Sequence, residues 1–135
     1  MNPYPTEKIR NVALVGHGGS GKTTLAESLL MAGNAISRRG RVEDGTATTD
    51  FEPEETKRHM SIFSCLAVFE HSGFKINLID TPGYADFFGE VQVALSVADL
   101  AVFVINSVDG VQVQTEVAWK YCSKLSIPRI IFLNK

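Results

Sequence analysis

A glycine-rich segment, GHGGSGKTT at residues 16–24, follows a short apolar run and matches the pattern G-x-x-x-x-G-K-[ST] at every defined position. Its glycines let the backbone fold closely around phosphate oxygens, and the amides at the start of the following helix attract negative charge. Lys22 adds a positive charge for the outer phosphates, and Thr23 offers a hydroxyl to Mg2+. We therefore predict a phosphate-binding loop formed by His17, Gly18, Gly19, Ser20, Gly21, Lys22, Thr23 and Thr24. His17, taken alone, is more typical of a packing or hydrogen-bonding residue than of a catalytic one.

A second motif, DTPG at residues 80–83, lies 58 residues after Lys22 at the end of a predicted strand. Open α/β folds bind ligands at the carboxyl ends of their strands, so both motifs are expected at the same edge of the sheet. Asp80 can hold a metal ion, usually through water, and the Gly83 amide can meet a terminal phosphate because no side chain blocks its approach. In isolation the tetrapeptide is equally typical of a structural turn, but its pairing with the glycine-rich loop favours the functional interpretation.

The elements that position these motifs alternate between short apolar runs and helical patterns, which is typical of a layered α/β domain around a mostly parallel sheet. We predict strands at 11–16, 61–70, 74–80, 100–105 and 129–133, helices at 22–31 and 113–125, and a further helix ending near 98. The second and third strands form an antiparallel hairpin across residues 71–73. A four-residue repeat in the last helix predicts a core-facing stripe of Val113, Val117, Tyr121 and Leu125. Residues 33–60 lack apolar periodicity and are predicted to form a functional or mobile loop.

Composition narrows the function classes. The 135 residues are 44% hydrophobic, and 13 basic against 15 acidic side chains give a net charge of −2. We therefore expect no direct DNA binding, and any nucleic-acid contact must be local. The longest apolar run, residues 100–105, is much shorter than the roughly 20 residues of a membrane-spanning helix, and the N-terminal residues lack the apolar stretch of a signal peptide. Cys65 and Cys122 lie in apolar patterns without metal-ligand spacing, as core thiols do in a reducing compartment. We expect a soluble, cytoplasmic chain.

These motifs resemble the G domain of translational GTPases, and elongation factor G and its close relatives in particular, over residues 11–135. The likeness extends to three further segments: GTATTDFEPEETKRHMSI at 45–62, IDTPGYADFFGEV at 79–91 and DGVQVQTEVAW at 109–119. It implies a P-loop NTPase G domain, a three-layer α/β/α fold whose mostly parallel sheet has one antiparallel edge strand and is truncated after its fifth strand. Residues 1–135 would then be a GTP-binding domain incomplete at its C-terminus, with a first switch at 33–60 and a second at 80–90. The implied ligands are GTP or GDP and Mg2+, and the implied partner is the ribosome.

The resemblance also implies a metal site. Ser61 stands eleven residues after the Asp of the Asp50-Phe51 pair, where the family has Thr, and would join Thr23 and Asp80 as a metal ligand. Serine keeps the hydroxyl that ligates Mg2+ but lacks the methyl group, which we expect to weaken the order of the first switch. A second departure is Gly19, where the family usually carries an acidic residue, so a carboxylate near the β and γ phosphates is missing.

Catalytic and base-reading residues follow from the same resemblance. Tyr84 follows DTPG directly, at the position where the family has the histidine that orients or activates the attacking water. The candidate catalytic residues are therefore Tyr84 and Lys22. Asn134 and Lys135 match the start of the NKxD motif that reads guanine. The Asp of that motif does not follow them, and we therefore expect this chain to be the N-terminal part of a longer factor.

Two function classes remain open at this point. The first is a Mg2+-dependent GTP hydrolase that drives a ribosomal step. The second is a nucleotide-gated binding module that holds GTP and hydrolyses it negligibly, because a tyrosine does not replace the histidine. A P-loop ATPase or kinase is disfavoured by DTPG and the Asn-Lys pair. Three arginines, Arg38, Arg39 and Arg41, either contact ribosomal RNA or belong to a solvated loop; neighbouring acidic residues favour the latter.

Overall fold

The computed structural model describes residues 4–49, 52–58 and 60–135, which form a five-stranded sheet with helices on both faces. The strands are β1 Ile9–Val15, β2 Cys65–His71, β3 Phe74–Asp80, β4 Leu100–Asn106 and β5 Arg129–Asn134. The helices are α1 Lys22–Ala32, α2 Pro53–Arg58, α3 Phe88–Ser96 and α4 Val113–Leu125, with short 3-10 turns at Thr6–Lys8 and Ala85–Phe87. None of the helices in these ranges is long and apolar enough to cross a membrane.

The strand order is β2-β3-β1-β4-β5. All neighbouring pairs are parallel except β2 and β3, so the predicted mostly parallel sheet with one antiparallel edge strand is confirmed. Strand β1 pairs with β3 in a register that sets Leu14 opposite Asp80. The carboxyl ends of these two strands are therefore side by side, and the loops that leave them meet at one edge of the sheet.

The central strands are buried on both faces because successive side chains point to opposite sides. In β1, Ala13 and Val15 pack into the cluster under α3 and α4, whereas Leu14 packs into the cluster under α1. All three are fully buried. Cys122 of α4 belongs to the first cluster, and burial raises the pKa of its thiol, as a core cysteine requires. Cys65, predicted to be similar, is only half-buried on edge strand β2.

The predicted core-facing stripe of α4 is wrong. Val113, Val117 and Leu125 are 69%, 38% and 41% exposed, and only Tyr121 of the four packs against the cluster, half-buried. The buried face of α4 consists instead of Thr115, Ala118 and Cys122. An unbroken four-residue repeat turns by about 120° around the helix over three steps, so its members cannot share one face, whereas alternating steps of three and four can.

The predicted loop at 33–60 contains a short helix, α2, which the lack of apolar periodicity concealed. Pro53 occupies the first helical position, where an N–H would have no helical partner. The first turn carries Glu54 and Glu55 and the last turn carries Lys57 and Arg58, so the side-chain charges complement the helix dipole. Charge order and proline, rather than an apolar face, account for this helix.

Strand β2 begins at Cys65, four residues after the predicted start at residue 61. The amides of Ile62 and Phe63 donate to the Glu55 carboxylate at 2.9 and 3.0 Å, and the Ser64 amide donates to Glu90 of α3 at 3.1 Å. Because carboxylates take these N–H groups, the backbone of 62–64 does not extend the ladder with β3. The segment that precedes β2 is held by side chains from two helices instead.

Candidate phosphate and metal site

The predicted phosphate-binding loop is the connection between β1 and α1. It leaves β1 at Val15 and enters α1 at Lys22, with Gly21 in the left-handed region at φ 97°. The Lys22 ammonium group is buried and donates to the carbonyl oxygens of Gly16 and His17 at 3.0 Å each. The loop thus encloses a positive charge, as the sequence pattern predicts for a site that binds phosphates.

The DTPG segment lies directly against this loop. The Thr81 hydroxyl donates to the Leu14 carbonyl at 2.6 Å, and the Gly18 amide donates to the Gly83 carbonyl at 2.9 Å. A Cβ at Gly83 would come within 2.5 Å of both the Gly18 amide nitrogen and Lys22 Nζ. Only glycine fits there, so the two motifs, far apart in sequence, form one continuous surface.

A cavity of about 250 Å³ opens at the junction of the two motifs. Its walls consist of Gly18, Gly19, Gly21, Lys22, Thr23, Thr24, Val42, Glu43, Met60, Ser61, Gly83, Tyr84 and Lys135. Two polar atoms of the loop, His17 Nδ1 and Ser20 Oγ, are buried and have no hydrogen-bond partner among the described residues. Buried polar groups are nearly always paired, so these two atoms are exceptions in the loop, although neither His17 nor Ser20 lines the cavity itself.

Four oxygen-bearing side chains converge on the metal site predicted from Thr23, Ser61 and Asp80. The Thr23 hydroxyl donates to Asp80 Oδ2 at 2.7 Å and lies 3.2 Å from Ser61 Oγ. The fourth is Thr49, whose hydroxyl donates to the same Asp80 oxygen at 2.9 Å. Oxygen donors are what Mg2+ prefers, and the described residues contain no cluster of three His, Cys, Asp or Glu that would suit another metal. The donor set therefore fits Mg2+ shared with phosphate oxygens.

Neither Thr49 nor Glu27, the carboxylate that holds its loop, is among the site residues predicted from the sequence. Glu27 of α1 is 1% exposed, and its two oxygens accept the amide of Gly40, at 2.7 Å, and the amide of Thr48. Glu27 stands four residues after Thr23 and three before Leu30, so helical spacing places it on their buried face, which is the one signal that could have singled it out. Thr49 lies among the threonines of a polar loop and has no comparable signal, because its partner Asp80 is 31 residues away.

Ser61 is positioned by a second buried carboxylate, Glu55 of α2, which is also 1% exposed. Glu55 Oε1 accepts the amides of Ile62 and Phe63, and Oε2 accepts the amide of Glu52 at 3.2 Å. The residue after Ser61 is thus tied to α2, which places the Ser61 hydroxyl beside Thr23. The Asp50-Phe51 pair of the sequence analysis lies outside the described residues.

Tyr84 lies on the phosphate-binding loop, with its side chain partly exposed. A Cβ at Gly18 would stand 2.7 Å from Tyr84 Cζ and 3.0 Å from both Cε atoms, so the ring covers the Gly18 backbone directly. At Gly19, by contrast, a Cβ would meet nothing within 4 Å, and its φ of 76° suits glycine. The space at position 19 would therefore admit a side chain, and backbone conformation rather than packing favours glycine there.

Asn134 and Lys135 reach the phosphate-binding loop from the end of β5. Asn134 Nδ2 donates to the Ser20 carbonyl at 2.9 Å, and Lys135 Nζ donates to the Gly19 carbonyl at 2.7 Å. Both side chains therefore brace the loop as well as lying at the edge of the sheet where a nucleotide base is predicted.

Arg38, Arg39 and Arg41 lie away from this cavity. Together with Met31, Ser37, Asp44 and Thr46 they line a separate open depression of about 690 Å³. Arg39 donates to Ser28 Oγ at 3.2 Å, and Arg38 and Arg41 are likewise exposed. Exposure is compatible with RNA contact and with a solvated loop alike, and the role of these arginines stays a prediction.

The chain is similar to known proteins over nearly its whole length. Residues 7–135 match the family described as the elongation factor Tu GTP binding domain. An elongation factor G-like protein of Mycobacterium tuberculosis is 45% identical over 127 residues, covering 94% of this chain and 18% of that protein. A mitochondrial ribosome-releasing factor 2 of Yarrowia lipolytica is 43% identical over 130 residues, 96% of this chain and 16% of that protein.

A solved structure has the same fold over nearly the whole chain. A crystal structure of a protein from Thermus thermophilus superposes with a TM-score of 0.90 and 47% identity, covering 93% of this chain and 19% of that one. The chain thus spans about a fifth of the length of the proteins it matches, and the predicted resemblance to elongation factor G proteins is confirmed over that part. The chain belongs to the family of the elongation factor Tu GTP-binding domain.

Proposed function

We propose that this chain is the GTP-binding and GTP-hydrolysing domain of an elongation factor G-like translation factor that acts on the ribosome in the cytoplasm. The observation that carries the proposal is that two motifs distant in sequence meet at one cavity. There Lys22 donates a hydrogen bond to the loop, and Thr23 donates one to Asp80. The relatives named as an elongation factor G-like protein and a ribosome-releasing factor support the choice of the ribosome as partner.

In this proposal the amides of the phosphate-binding loop and the Lys22 ammonium group hold the phosphates. Thr23, Ser61 and Asp80 hold Mg2+, which when bound neutralises charge on the β and γ phosphates. We assign Asn134 and Lys135 to the guanine base that follows the phosphates, and their contacts with the loop support this assignment. Residues 33–60 and 80–90 act as the two switches, since both contribute side chains to this cavity.

Tyr84 is the proposed residue for orienting the attacking water. Its ring lies on Gly18 at the cavity wall, so the phenol is close to the expected terminal phosphate. A phenol hydroxyl can donate or accept one hydrogen bond, so it can orient a water, but it lacks the imidazole nitrogen that a histidine would offer as a base. We therefore expect slow intrinsic hydrolysis that the ribosome accelerates.

The alternative of a binding module without hydrolysis is less well supported. The family match and the translation-factor names of the relatives favour the hydrolase, and the same match disfavours an ATPase or a kinase. Single-turnover hydrolysis with and without ribosomes separates the two remaining classes. Phosphate release that stays at the buffer rate in the presence of ribosomes would reject the hydrolase.

The phosphate site is tested with Lys22→Ala. Removing a charge-assisted contact worth roughly 1.5 to 3 kcal/mol should weaken GTP and GDP binding at least about tenfold. Lys120→Ala is the matched control, because Lys120 is exposed on α4 and its only described ion pair is with Glu116 on the same helix. Equal nucleotide affinity in wild type and Lys22→Ala, measured by fluorescence titration, would refute the site.

A further inference from the structure

We propose that Thr49 is a positioning residue of the metal site: its hydroxyl holds the Asp80 carboxylate for Mg2+, and Glu27 holds Thr49 in place. The inference rests on the proposed magnesium site and adds to it a residue that lies outside both motifs. Its consequence is a direct link between the position of the 40–49 segment and the affinity for the metal.

The Asp80 carboxylate is held by hydroxyl groups. Among the described residues, its Oδ2 atom accepts two hydroxyls, from Thr23 at 2.7 Å and from Thr49 at 2.9 Å. Thr49 and Asp80 are each 2% exposed, so water does not compete for this contact. A carboxylate whose oxygen accepts two hydroxyls is restricted in rotation, and Thr49 contributes one of those two restraints. Hydrogen bonds of this kind orient metal-binding carboxylates and raise metal affinity.

Thr49 is held in place through the Glu27 carboxylate. The amide of the preceding residue, Thr48, donates to Glu27, whose other oxygen accepts the Gly40 amide at 2.7 Å. Glu27 therefore closes the segment between residues 40 and 48 against α1. Because α1 also begins with Lys22 and Thr23, one helix presents the metal-binding hydroxyl and anchors the loop that braces Asp80.

These contacts couple the position of residues 40–49 to the metal site. If residues 40–49 move away from α1, the Thr49 hydroxyl leaves Asp80 and the metal site loses a restraint. Linkage then requires the reverse effect as well: Mg2+ at this site favours the closed position of the segment. Thr49 thus couples the 40–49 segment to the metal site, and Ser61 contacts the same site from the other half of the loop.

The experiment measures Mg2+ affinity and needs no turnover. Release of a fluorescent GDP analogue is followed over a range of free Mg2+ concentrations, and the concentration that half-maximally slows release is compared among variants. Thr49→Val keeps the shape of the side chain and removes the hydroxyl, so the required Mg2+ concentration should rise about 10- to 100-fold. Thr49→Ser keeps the hydroxyl and should restore affinity to within a few-fold of wild type.

Thr115→Val is the matched control, because Thr115 is also a buried threonine, 4% exposed, but lies on α4 in the core face. It should leave the Mg2+ requirement unchanged even if it lowers thermal stability. A wild-type Mg2+ requirement in Thr49→Val, or one equal to that of Thr115→Val, overturns the inference while leaving the magnesium site standing. Release that is independent of Mg2+ in the wild type would overturn both.

A second variant tests the same arrangement if Thr49→Val shows no cooperative thermal transition. Glu27→Gln retains one carbonyl oxygen and replaces the other oxygen with an amide donor, so it can accept only one of its two backbone amides. The Mg2+ requirement should then rise several-fold although every hydroxyl of the site is intact. An unchanged requirement in Glu27→Gln would contradict the proposed hold on Thr49.

Discussion

Replacing Glu55 should destabilise the segment that carries Ser61. The two carboxylate oxygens of Glu55 accept different backbone amides, so different substitutions should affect different amides. Among the described residues, Glu55 Oε1 accepts the amides of Ile62 and Phe63, at 2.9 and 3.0 Å, and Oε2 accepts the amide of Glu52, at 3.2 Å. In Glu55→Gln the remaining carbonyl oxygen can keep the two amides at Ile62 and Phe63, and the new NH2 group must face the Glu52 amide. In Glu55→Ala all three amides lose this acceptor.

The expected size of the effect follows from burial. The Glu55 side chain is 1% exposed, so water does not replace a lost acceptor without local opening. Losing a hydrogen bond to a buried carboxylate costs about 1 to 3 kcal/mol. Since 1.36 kcal/mol corresponds to a factor of ten, amide hydrogen exchange at Glu52 should accelerate roughly 5- to 150-fold in Glu55→Gln. The amides of Ile62 and Phe63 should change less in Glu55→Gln and strongly in Glu55→Ala.

Hydrogen exchange read at single residues by NMR or mass spectrometry checks this pattern. The control is Glu54→Gln, the adjacent residue, which is exposed and forms only an i,i+4 ion pair with Arg58 at 3.2 Å among the contacts described for it. Such a pair contributes about 0.3 to 0.5 kcal/mol, so exchange should be nearly unchanged. Equal exchange at all three amides in the Glu55 and Glu54 variants would refute the idea that Glu55 holds this segment.

Three further predictions concern other parts of the domain. In a full-length factor that carries this domain, Tyr84→His should raise ribosome-stimulated GTP turnover at least several-fold with little change in GTP affinity; an unchanged or lower rate would mean that the tyrosine serves this site in its own right. Ala118→Asp places a carboxylate in the core where Ala118 is 2% exposed and should cost about 3 kcal/mol or more in the free energy of unfolding, whereas Val117→Asp should cost less than about 1 kcal/mol. Urea denaturation compares these two variants, and similar costs would contradict the observed face of α4. Ile131 is 56% exposed on edge strand β5, so the 135-residue chain should associate with rising concentration, and Ile131→Lys should reduce that association in light scattering. A chain that stays monomeric over the whole concentration range would show that edge strand β5 does not promote association.

Much of the domain can be read along the chain because the relevant interactions are local. Strand β3 and helix α4 have the predicted bounds, Phe74–Asp80 and Val113–Leu125, and the other strands differ by a few residues at most. The glycine-rich loop and DTPG were identified from residue type and spacing, since their chemistry depends on which residues follow a strand or start a helix. The antiparallel edge hairpin also follows from a short connection, where Ser72 and Gly73 take positive φ values of 50° and 79°.

Hydrophobic periodicity does not determine which polar side chains are buried. Glutamates are mostly solvent-exposed, yet Glu27 and Glu55 are each 1% exposed and accept backbone amides from the loop that carries Thr49 and Ser61. The partners of such a carboxylate are set by which loop passes over it.

The same reason explains the remaining differences. The buried face of α4 depends on the tilt of the helix across the sheet, and the contact of Thr49 with Asp80 depends on a segment folding back over α1. The sequence by itself determined the motifs, the order of elements and the chemistry of the site, because these arise from neighbours along the chain. The tertiary structure alone decided which loop residues reach the metal site, because burial of a polar group is favourable only where distant parts of the chain supply its hydrogen-bond partners.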